Sequence, residues 1–575
     1  MKKYITSSLI AVILIAAVLA LYIPNKGSDA LSSDAGVSSK GNESILKISD
    51  LIASKKGVES FSKIRIFSSD NAPFGNGITK GIKQSARLKI DRVELTRIMN
   101  LRTKNLLFEI PLGSGKLVEL ELTEAKVFSD DFSVNALSDN GTVPVNYKPG
   151  LFYRGIVKGD NSSIAAVSLF DNSVMGVVST KDGNFNLGPA EGGVNDTYIY
   201  YNDRDLSIKN DFKCGVEDID SKLIKPAIKT SGIINDNPAG RLPVKIYFEA
   251  DYQTYVNKGF NTTNVSNYIS GFFNSVALIY QNEYLPVQIS TINVWSTPDP
   301  YMNLTDSYRI LLRFGGRIKD NFTGDLAQLV STRQEGFGGI AWVRTICGNF
   351  NPNDSSGRFS FSGIDTNYYY YPTYSWTINV VTHELGHSFG SMHTHACWWP
   401  VNSGVIGPID SCYYAEGGCF QGTKPAIGTI MSYCHLQTQA GGYVDLRLGF
   451  GSMPGDTIRL RYNQCSRFGQ VINSSENPTV FSMFQNFPNP FNPATTISFA
   501  VPENANITLK IYDINGREIT TAINSRLYAT GVYNYFFNAS AYSLASGIYF
   551  YKITAQNPAS NAVKFTEVKR MILIK

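Results

Sequence analysis

The chain has 575 residues, more than one hydrophobic core usually holds, so we expect several domains. Its hydrophobic fraction of 43% and aromatic fraction of 12% predict folded modules and exclude a largely disordered chain. The formal net charge of +5 is small for this length and there is no long basic run, which argues against nucleic acid as a partner.

The N-terminus has the pattern of a secretory signal peptide, which we place at residues 1–20. Lys2 and Lys3 precede an apolar run from Leu9 to Leu21 that contains small residues suited to cleavage. The run is too short for a comfortable membrane span, although an uncleaved anchor is the alternative. Since no other stretch could cross a bilayer, we expect no stable membrane span in the mature form.

The cysteine pattern fits an exported protein. Six of the seven cysteines lie between positions 347 and 465, and the seventh, Cys214, lies far upstream. In an oxidising compartment the six could form three disulfides, which leaves Cys214 outside them.

The segment HELGHSFGSMH is the most informative stretch of the chain. On a helix, His383 and His387 project from one face and can bind one metal ion, with Glu384 between them as a general base. If Gly390 adopts the left-handed conformation that ends helices, the chain turns and brings His393 to the same point. H-E-x-x-H also occurs by chance on helices that bind nothing, but three of the five histidines in this chain occupy the ligand positions.

This extended motif resembles that of the metzincin metalloendopeptidases. The resemblance implies an α/β zincin domain with one catalytic Zn²⁺ held by His383, His387 and His393. It also implies that Glu384 takes a proton from the attacking water.

Met431, in GTIMSYCH, looks like the Met-turn that metzincins place beneath the zinc. Tyr433 follows at a spacing similar to that of the astacin and serralysin branches, in which the tyrosine ligates zinc or stabilises the oxyanion. Tyr433 is therefore a candidate catalytic residue, with simple packing as the alternative. His395 and His435 lie outside the motif, and we expect them to be structural or to face substrate.

The context of Cys214, FKCGVED, resembles the cysteine switch in the propeptides of adamalysin-type (reprolysin) proteases. In that family the thiolate occupies the fourth zinc position until the propeptide is cut away. The segment Leu151 to Glu191 also looks like a β-rich reprolysin prodomain. We therefore expect a propeptide at 21–230, with a cleavage region around 217–242; the alternative for Cys214 is a buried small hydrophobe.

We place the catalytic domain at 231–470 and expect a twisted, mostly parallel sheet in it. The predicted elements are a strand from Leu242, a helix at Val265 to Tyr284, a strand at Val287 to Trp295, a helix at Asp325 to Arg333 and the active helix at Thr377 to Ser388. The segment Gly336 to Gly348 resembles the reprolysin edge strand that pairs with extended substrate.

Some family features are missing or altered. Alignment with adamalysins puts Lys245 where a calcium-binding Glu stands, so that calcium site is not carried over, and whether calcium binds elsewhere stays open. The resemblance implies a disulfide between Cys347 and Cys465. The stretch between His393 and Met431 is long for the family, and we expect a disulfide-tied loop that forms one wall of the cleft.

A linker at 471–483 precedes a region of different character at 484–575. Alternating strands separated by Pro, Asn-Gly and Gly turns predict a small immunoglobulin-like β-sandwich. Its segments NFPNPFNP, YDINGRE and GIYFYK look like the C-terminal sorting domain read by the type IX secretion system. That resemblance implies export from a Gram-negative bacterium by this machinery, after a Sec signal peptide; a carbohydrate-binding or adhesive domain is the alternative.

The sequence thus predicts a multidomain α+β protein with a β-rich propeptide, a metzincin catalytic domain and a C-terminal β-sandwich. The predicted function is a secreted or surface zinc endopeptidase, made as a zymogen, that hydrolyses protein or peptide substrates. One alternative is a non-catalytic surface adhesin on a protease scaffold, although Glu384 argues against it. Another is a serralysin-like or peptidyl-Asp-type protease, and the missing glycine-rich calcium repeats weigh against serralysin.

Overall fold

The structure is a computed structural model that describes residues 45–190, 195–207, 214–215, 241–333, 337–364, 370–402, 405–437, 441–465, 468, 480–486, 489, 491, 494–542 and 544–574. The predicted signal peptide, nearly all of the predicted cleavage region and most of the predicted linker lie outside these residues. We refer to 45–207 as the N-terminal region, to 241–465 as the central region and to 480–574 as the C-terminal region.

The described residues include eight α-helices and 28 strands. The helices are α1 (Ile48–Lys56), α2 (Asn76–Gly81), α3 (Arg92–Leu101), α4 (Tyr252–Asn257), α5 (Thr262–Asn282), α6 (Ser307–Ile318), α7 (Tyr374–Phe389) and α8 (Ser452–Gln464). The strands of the N-terminal region are β1 (Ser62–Ile64), β2 (Phe67–Ser69), β3 (Ala86–Ile90), β4 (Asn105–Gly113), β5 (Lys116–Glu124), β6 (Phe128–Ser138), β7 (Gly141–Pro144), β8 (Leu151–Val157), β9 (Asp160–Leu169), β10 (Val174–Thr180), β11 (Gly183–Pro189) and β12 (Thr197–Asn202).

The remaining strands belong to the central and C-terminal regions. Those of the central region are β13 (Val244–Ala250), β14 (Val287–Trp295), β15 (Leu326–Ser331), β16 (Gly339–Ala341), β17 (Phe359–Gly363), β18 (Trp399–Asn402), β19 (Val405–Gly407), β20 (Ile427–Gly428) and β21 (Tyr443–Val444). Those of the C-terminal region are β22 (Ser482–Met483), β23 (Ala494–Val501), β24 (Ala505–Asp513), β25 (Glu518–Tyr528), β26 (Gly531–Asn538), β27 (Gly547–Gln556) and β28 (Val563–Leu573). The protein is therefore of mixed α+β class.

The N-terminal region is built around a ten-stranded sheet, so it is β-rich as predicted. The strand order is β1-β4-β5-β8-β9-β10-β11-β12-β3-β2, and consecutive strands from β8 to β12 form an antiparallel meander. One face of this sheet covers a hydrophobic core that belongs to the N-terminal region alone. The other face packs on the central region. Strands β6 and β7 also belong to this region of the chain, but they pair in the sheet of the central region.

The central region is organised by a seven-stranded sheet with the order β16-β17-β15-β13-β14-β6-β7. Four of its six pairings are parallel, and the two antiparallel ones lie at the ends, which agrees with the predicted mostly parallel sheet. Strand β14 has the predicted bounds, and helix α5 begins and ends within three residues of the predicted helix. Strand β16, from the segment predicted to be an edge strand, does lie at one edge, over three residues.

The predicted helix at 325–333 is wrong, because this segment forms strand β15. All six residues of the strand are buried, and it lies between β13 and β17 with parallel pairing to both. A short, continuously buried run such as LAQLVS has no periodicity that separates a central strand from a helix, so long-range pairing decides its structure. The helix that connects β14 to β15 is α6, which begins after Asp306, whose side chain accepts a hydrogen bond from Arg309 N at 2.8 Å.

Three disulfides tie the central region together. They join Cys347 to Cys465, Cys397 to Cys419 and Cys412 to Cys434. The first is the pair implied by the family resemblance, and the other two hold the long segment after His393 in a loop. The three bonds use the six downstream cysteines, and Cys214 keeps its thiol.

The C-terminal region consists of two antiparallel sheets around one core. One sheet has the order β22-β23-β26 and the other β25-β24-β27-β28, and the side chains buried between them form a single hydrophobic cluster. Strand β24 alternates buried and half-buried residues along its length, as a strand with one face on a core does. Within the part of the chain that the structure describes, no helix has the length and apolar character needed to cross a membrane.

Candidate metal centre

Helix α7 presents two histidines from one face and then ends sharply. It runs to Phe389, and the residue after it, Gly390, has φ 114° and ψ 5°, the left-handed conformation expected there. A Cβ at Gly390 would lie 2.9 Å from Cγ of Arg344, so both the conformation and the space favour glycine. The turn brings His393 back beside His383 and His387, and all three rings are buried.

The three imidazoles point the same nitrogen at one another. The Nε2 atoms of His383, His387 and His393 form a triangle with sides of 3.1 Å. Nδ1 of His383 lies 2.8 Å from the carbonyl oxygen of Ile430, and Nδ1 of His387 lies 2.8 Å from that of Ser391. Because a carbonyl oxygen can only accept, these two Nδ1 atoms carry the proton.

The third histidine is oriented by a carboxylate. Nδ1 of His393 lies 2.5 Å from Oε1 of Glu416, which fixes the same tautomer. Burial lowers the pKa of His383, His387 and His393, so the rings are neutral at neutral pH. Three Nε2 lone pairs therefore converge on one buried point, which is the arrangement of a cation site.

The size and chemistry of this point fit zinc. The centre of a triangle with sides of 3.1 Å is about 1.8 Å from each corner, so one point just above it can lie about 2.0–2.1 Å from all three atoms, the usual zinc–nitrogen distance. The Sγ atom of Cys214 and one ring nitrogen from each of the three histidines all lie within 4.8 Å of one another. Three neutral imidazoles and a thiol are donors that zinc prefers over magnesium or calcium.

Glu384 lies between the helical histidines and is buried with them. Its Oε2 accepts a hydrogen bond from the Cys214 thiol at 3.4 Å, and its Oε1 has no hydrogen-bond partner among the residues that the structure describes. Burial raises the pKa of Glu384 well above its ordinary value, and the hydrogen bond from Cys214 opposes this shift. The carboxyl group packs against Gly339 of the edge strand β16.

Tyr433 links the histidines to Cys214. Its hydroxyl oxygen accepts a hydrogen bond from Cys214 N at 2.7 Å, and it lies 3.3 Å from Cys214 O and 3.3 Å from Nε2 of His393. Its ring lies 4.8 Å from that of His393, and burial raises the pKa of the hydroxyl well above its ordinary value. Tyr433 is therefore a protonated group within reach of the triangle.

Met431 lies beneath α7 in a tight turn. A Cβ at Gly386 would come 3.0 Å from the Met431 sulfur, so the helix and the turn are in close contact there. The carbonyl oxygen of Met431 accepts a hydrogen bond from Thr394 N at 3.0 Å, and the preceding residue, Ile430, accepts from His383. The turn thus supports the first histidine and the segment that leads away from the third.

Sequence reasoning missed Glu416. It comes from the disulfide-tied loop, 23 residues after His393, and its Oε1 also lies 2.9 Å from Nε2 of His395. Burial raises the pKa of Glu416, but the adjacent imidazoles of His393 and His395 lower it, and the overall direction is downward, which keeps the carboxylate ionised. Nothing in its local sequence, YAEGGC, marks it as a partner of a histidine, so only the folded loop reveals it.

The two other histidines lie outside the triangle. His395 stacks on His393 with the ring centroids 4.9 Å apart and an interplanar angle of 8°, so its position is a supporting one. His435 packs between Trp376 and Tyr433, with ring centroids 5.8 Å and 5.9 Å away.

Comparisons with known proteins found two family models and several solved structures that resemble parts of this chain. Residues 243–440 match a reprolysin model of metallo-peptidase family M12, and residues 485–566 match the secretion system C-terminal sorting domain. Among solved structures, the chain is similar to metalloproteinase-II from Bacteroides fragilis, at 10% identity and a TM-score of 0.30, over 60% of this chain and 93% of that one. It is also similar to a catalytically inactive OgpA from Akkermansia muciniphila in complex with an O-glycopeptide, at 12% identity and a TM-score of 0.21, over 60% of this chain and 97% of that one.

The two family matches account for different parts of the chain. The first covers α7, the three histidines and Met431, and the second covers most of the C-terminal region. A sorting domain of this kind indicates a protein that is secreted or held at the cell surface. Residues 243–440 therefore form a reprolysin-like domain of metallo-peptidase family M12, and residues 485–566 form a secretion system C-terminal sorting domain.

Proposed function

We propose that the protein is a secreted zinc endopeptidase of the metzincin clan, made as a latent zymogen. The observation that carries this proposal is the convergence of three neutral Nε2 atoms beside the carboxyl group of Glu384. Zinc held by His383, His387 and His393 would supply a Lewis acid that polarises the scissile carbonyl and activates water. The left-handed turn at Gly390 and the Met431 turn support the metzincin assignment.

Glu384 is the proposed general base. It is buried beside the ligating nitrogens, and its raised pKa favours a group that can take a proton and then return it to the leaving amine. Its Oε2 faces the thiol of Cys214, so when that thiol leaves, the oxygen faces the space vacated in front of the triangle.

Tyr433 is the proposed oxyanion donor. Its hydroxyl is held by the backbone of Cys214 and lies 3.3 Å from Nε2 of His393. Departure of Cys214 would free this hydroxyl to donate a hydrogen bond to the oxygen that becomes negative during attack. The extended substrate would lie along the edge strand β16, whose outer backbone groups offer hydrogen bonds to a peptide.

Cys214 is the proposed source of latency. Its sulfur lies beside all three ligating nitrogens, and its backbone and side chain engage Tyr433 and Glu384. One residue thus contacts each of the groups that we assign to catalysis. Cleavage of the chain after Cys214 would let this residue leave the site.

The domain boundaries follow from the same proposal. They are a signal peptide at 1–20, a propeptide at 21–230, a catalytic domain at 231–470, a linker at 471–483 and a sorting domain at 484–575. We propose that the sorting domain is an immunoglobulin-like β-sandwich formed by the two sheets of the C-terminal region and that the type IX machinery reads it. Partners of the mature enzyme are then protein or peptide substrates.

A proteolysis assay tests this function. The activated wild type should degrade an unfolded protein substrate and stop when a chelator is added. Glu384→Gln should keep its zinc but lose about 10²–10⁴-fold in turnover, because only the proton acceptor is removed. His387→Ala should lose both zinc and activity.

A control variant and one contrary result complete the assay. Asp320→Asn, on the surface beside Arg358, should retain zinc and activity. A wild type that binds zinc after activation but degrades no substrate would contradict the proposal and favour the surface adhesin.

A further inference from the structure

The N-terminal region supplies strands to the sheet of the central region. Strand β6 pairs in parallel with β14 from Phe128 to Leu137, and β7 folds back on β6 to form the end of the sheet. Side chains reinforce the junction: Asn135 Nδ2 donates to Asn293 Oδ1 at 2.9 Å, and Ser129 Oγ donates to the carbonyl oxygen of Ile289 at 3.2 Å. The sheet on which the metal site is built is therefore completed by residues from the proposed propeptide.

The N-terminal region also covers the second face of helix α5. This helix is buried continuously from Tyr268 to Tyr280, which exceeds what a helix with one face on a sheet requires. Asn274, in its middle, donates to the carbonyl oxygens of Tyr153 at 3.1 Å and Val167 at 3.3 Å, and it accepts from the buried Arg154 at 3.0 Å. Strands β8 and β9 thus supply the hydrogen-bond partners of the Asn274 side chain on this face of the helix.

Apolar side chains also pack across the boundary between the N-terminal and central regions. Side chains of the two regions form one hydrophobic cluster, which includes Val134, Phe152, Ile164, Phe170, Met175 and Val177 from the N-terminal region. At Gly271 the helix comes so close that a Cβ would lie 2.6 Å from the Met175 sulfur. Separating the regions would expose this cluster to water, at a free-energy cost that grows with the apolar area.

The N-terminal region even holds the first turn of the metal-binding helix. Oδ1 of Asn186 accepts a hydrogen bond from Ser375 N at 2.8 Å, and its Nδ2 lies 3.2 Å from Ser375 Oγ. Just before the helix, the Tyr201 hydroxyl donates to the carbonyl oxygen of Pro372 at 2.5 Å. The amide groups in the first turn of a helix need such partners, because they have none within the helix.

We infer that residues 45–207 remain bound after the chain is cut beyond Cys214, so that the cut protein is a complex of two chains. Hydrolysis of one peptide bond between 216 and 240 would leave Cys214 near a free chain end that can move out of the site. The strand pairing, the shared core and the contact with α7 do not depend on that bond. This inference rests on the proposed function only in assuming that the chain is cut after Cys214 during activation. The association of the two fragments itself needs no catalysis.

Controlled cleavage of the full chain tests the inference. The recognition sequence of a site-specific protease is inserted between residues 220 and 235 of the Glu384→Gln variant, which cannot digest itself. After complete cutting, the two fragments should co-elute in size-exclusion chromatography at the mass of the uncut protein. They should stay together on dilution to about 10 nM and separate only in denaturant.

Two further arms identify what holds the fragments together. Co-elution should persist in the Cys214→Ser variant and in the presence of a chelator, because the inference assigns the association to the sheet and the core. Separation of the fragments at micromolar concentration, or loss of co-elution in either arm, would overturn it. Failure of the proposed function would appear separately, as a cut wild-type complex that co-elutes but degrades no substrate.

Discussion

Gly339 of the edge strand β16 lies directly against Glu384 of helix α7. A Cβ at Gly339 would overlap the carboxyl oxygen Oε1 and come 2.6 Å from Cγ of Glu384. The absence of a side chain at this strand position is therefore what leaves room for the proposed base. Any larger residue must push the carboxyl group away from the histidines.

We predict that Gly339→Ala lowers turnover by roughly 10–100-fold, because a catalytic group displaced by about 1 Å loses its alignment. The measurement is kcat and KM on a peptide substrate, with zinc content as a second readout, and zinc should stay bound. Gly316→Ala in α6 is the matched control, since no atom lies within 4 Å of the added Cβ. Wild-type kcat in Gly339→Ala would show that the carboxyl group can relocate without loss.

Removal of the Glu416 carboxylate should weaken metal binding. It accepts from Nδ1 of His393 at 2.5 Å and thereby orients the third ligand. We expect Glu416→Ala to raise the zinc dissociation constant by about 10–100-fold in a chelator competition assay. Glu416→Gln should show a smaller effect, because its amide oxygen can still accept; equal affinity in all three proteins would mean that His393 needs no such partner.

Cys214→Ser should give a partly active zymogen. A serine hydroxyl stays protonated and binds zinc far more weakly than a thiolate does, so the inhibitory contact is lost while the rest of the region stays in place. The check is the proteolytic rate of the uncut variant against the uncut wild type. If the intact variant is as silent as the wild type, and thiol reagents fail to activate the wild type, inhibition is steric.

Deletion of Phe484 to Lys575 should block export without unfolding the rest of the chain. The sorting domain has its own core, so its removal leaves the hydrophobic clusters of the other two regions intact. We expect the truncated protein to accumulate in the periplasm, measured by fractionation and immunoblotting. Normal release of the truncated protein into the medium would contradict the assigned role of this domain.

Local patterns in the sequence were sufficient to predict the helix that carries His383 and His387 and its sharp end. The spacing of His383, His387 and Gly390 predicted a helix with a sharp end, and the structure contains both. These features depend on residues within a few positions of one another, where helical geometry determines which side chains meet.

Long-range contacts explain what the sequence could not reveal. Glu416 meets His393 only because a disulfide-tied loop folds back, and strand β6 joins β14 across more than 150 positions. The same limit produced the wrong helix at 325–333, since Leu326 to Ser331 become a strand through pairing with β13 and β17. No periodicity within these segments encodes their partners.

The disulfide between Cys397 and Cys419 has a practical consequence for recombinant production. It closes the loop that carries Glu416, and Cys397 N also donates to the carbonyl oxygen of Glu416 at 2.8 Å. In the reducing cytosol of an expression host this covalent link does not form, so the carboxylate behind His393 is held less firmly. We expect protein made in the cytosol to bind metal poorly even when the rest of the chain folds correctly. Export to an oxidising compartment should restore full occupancy of the metal site.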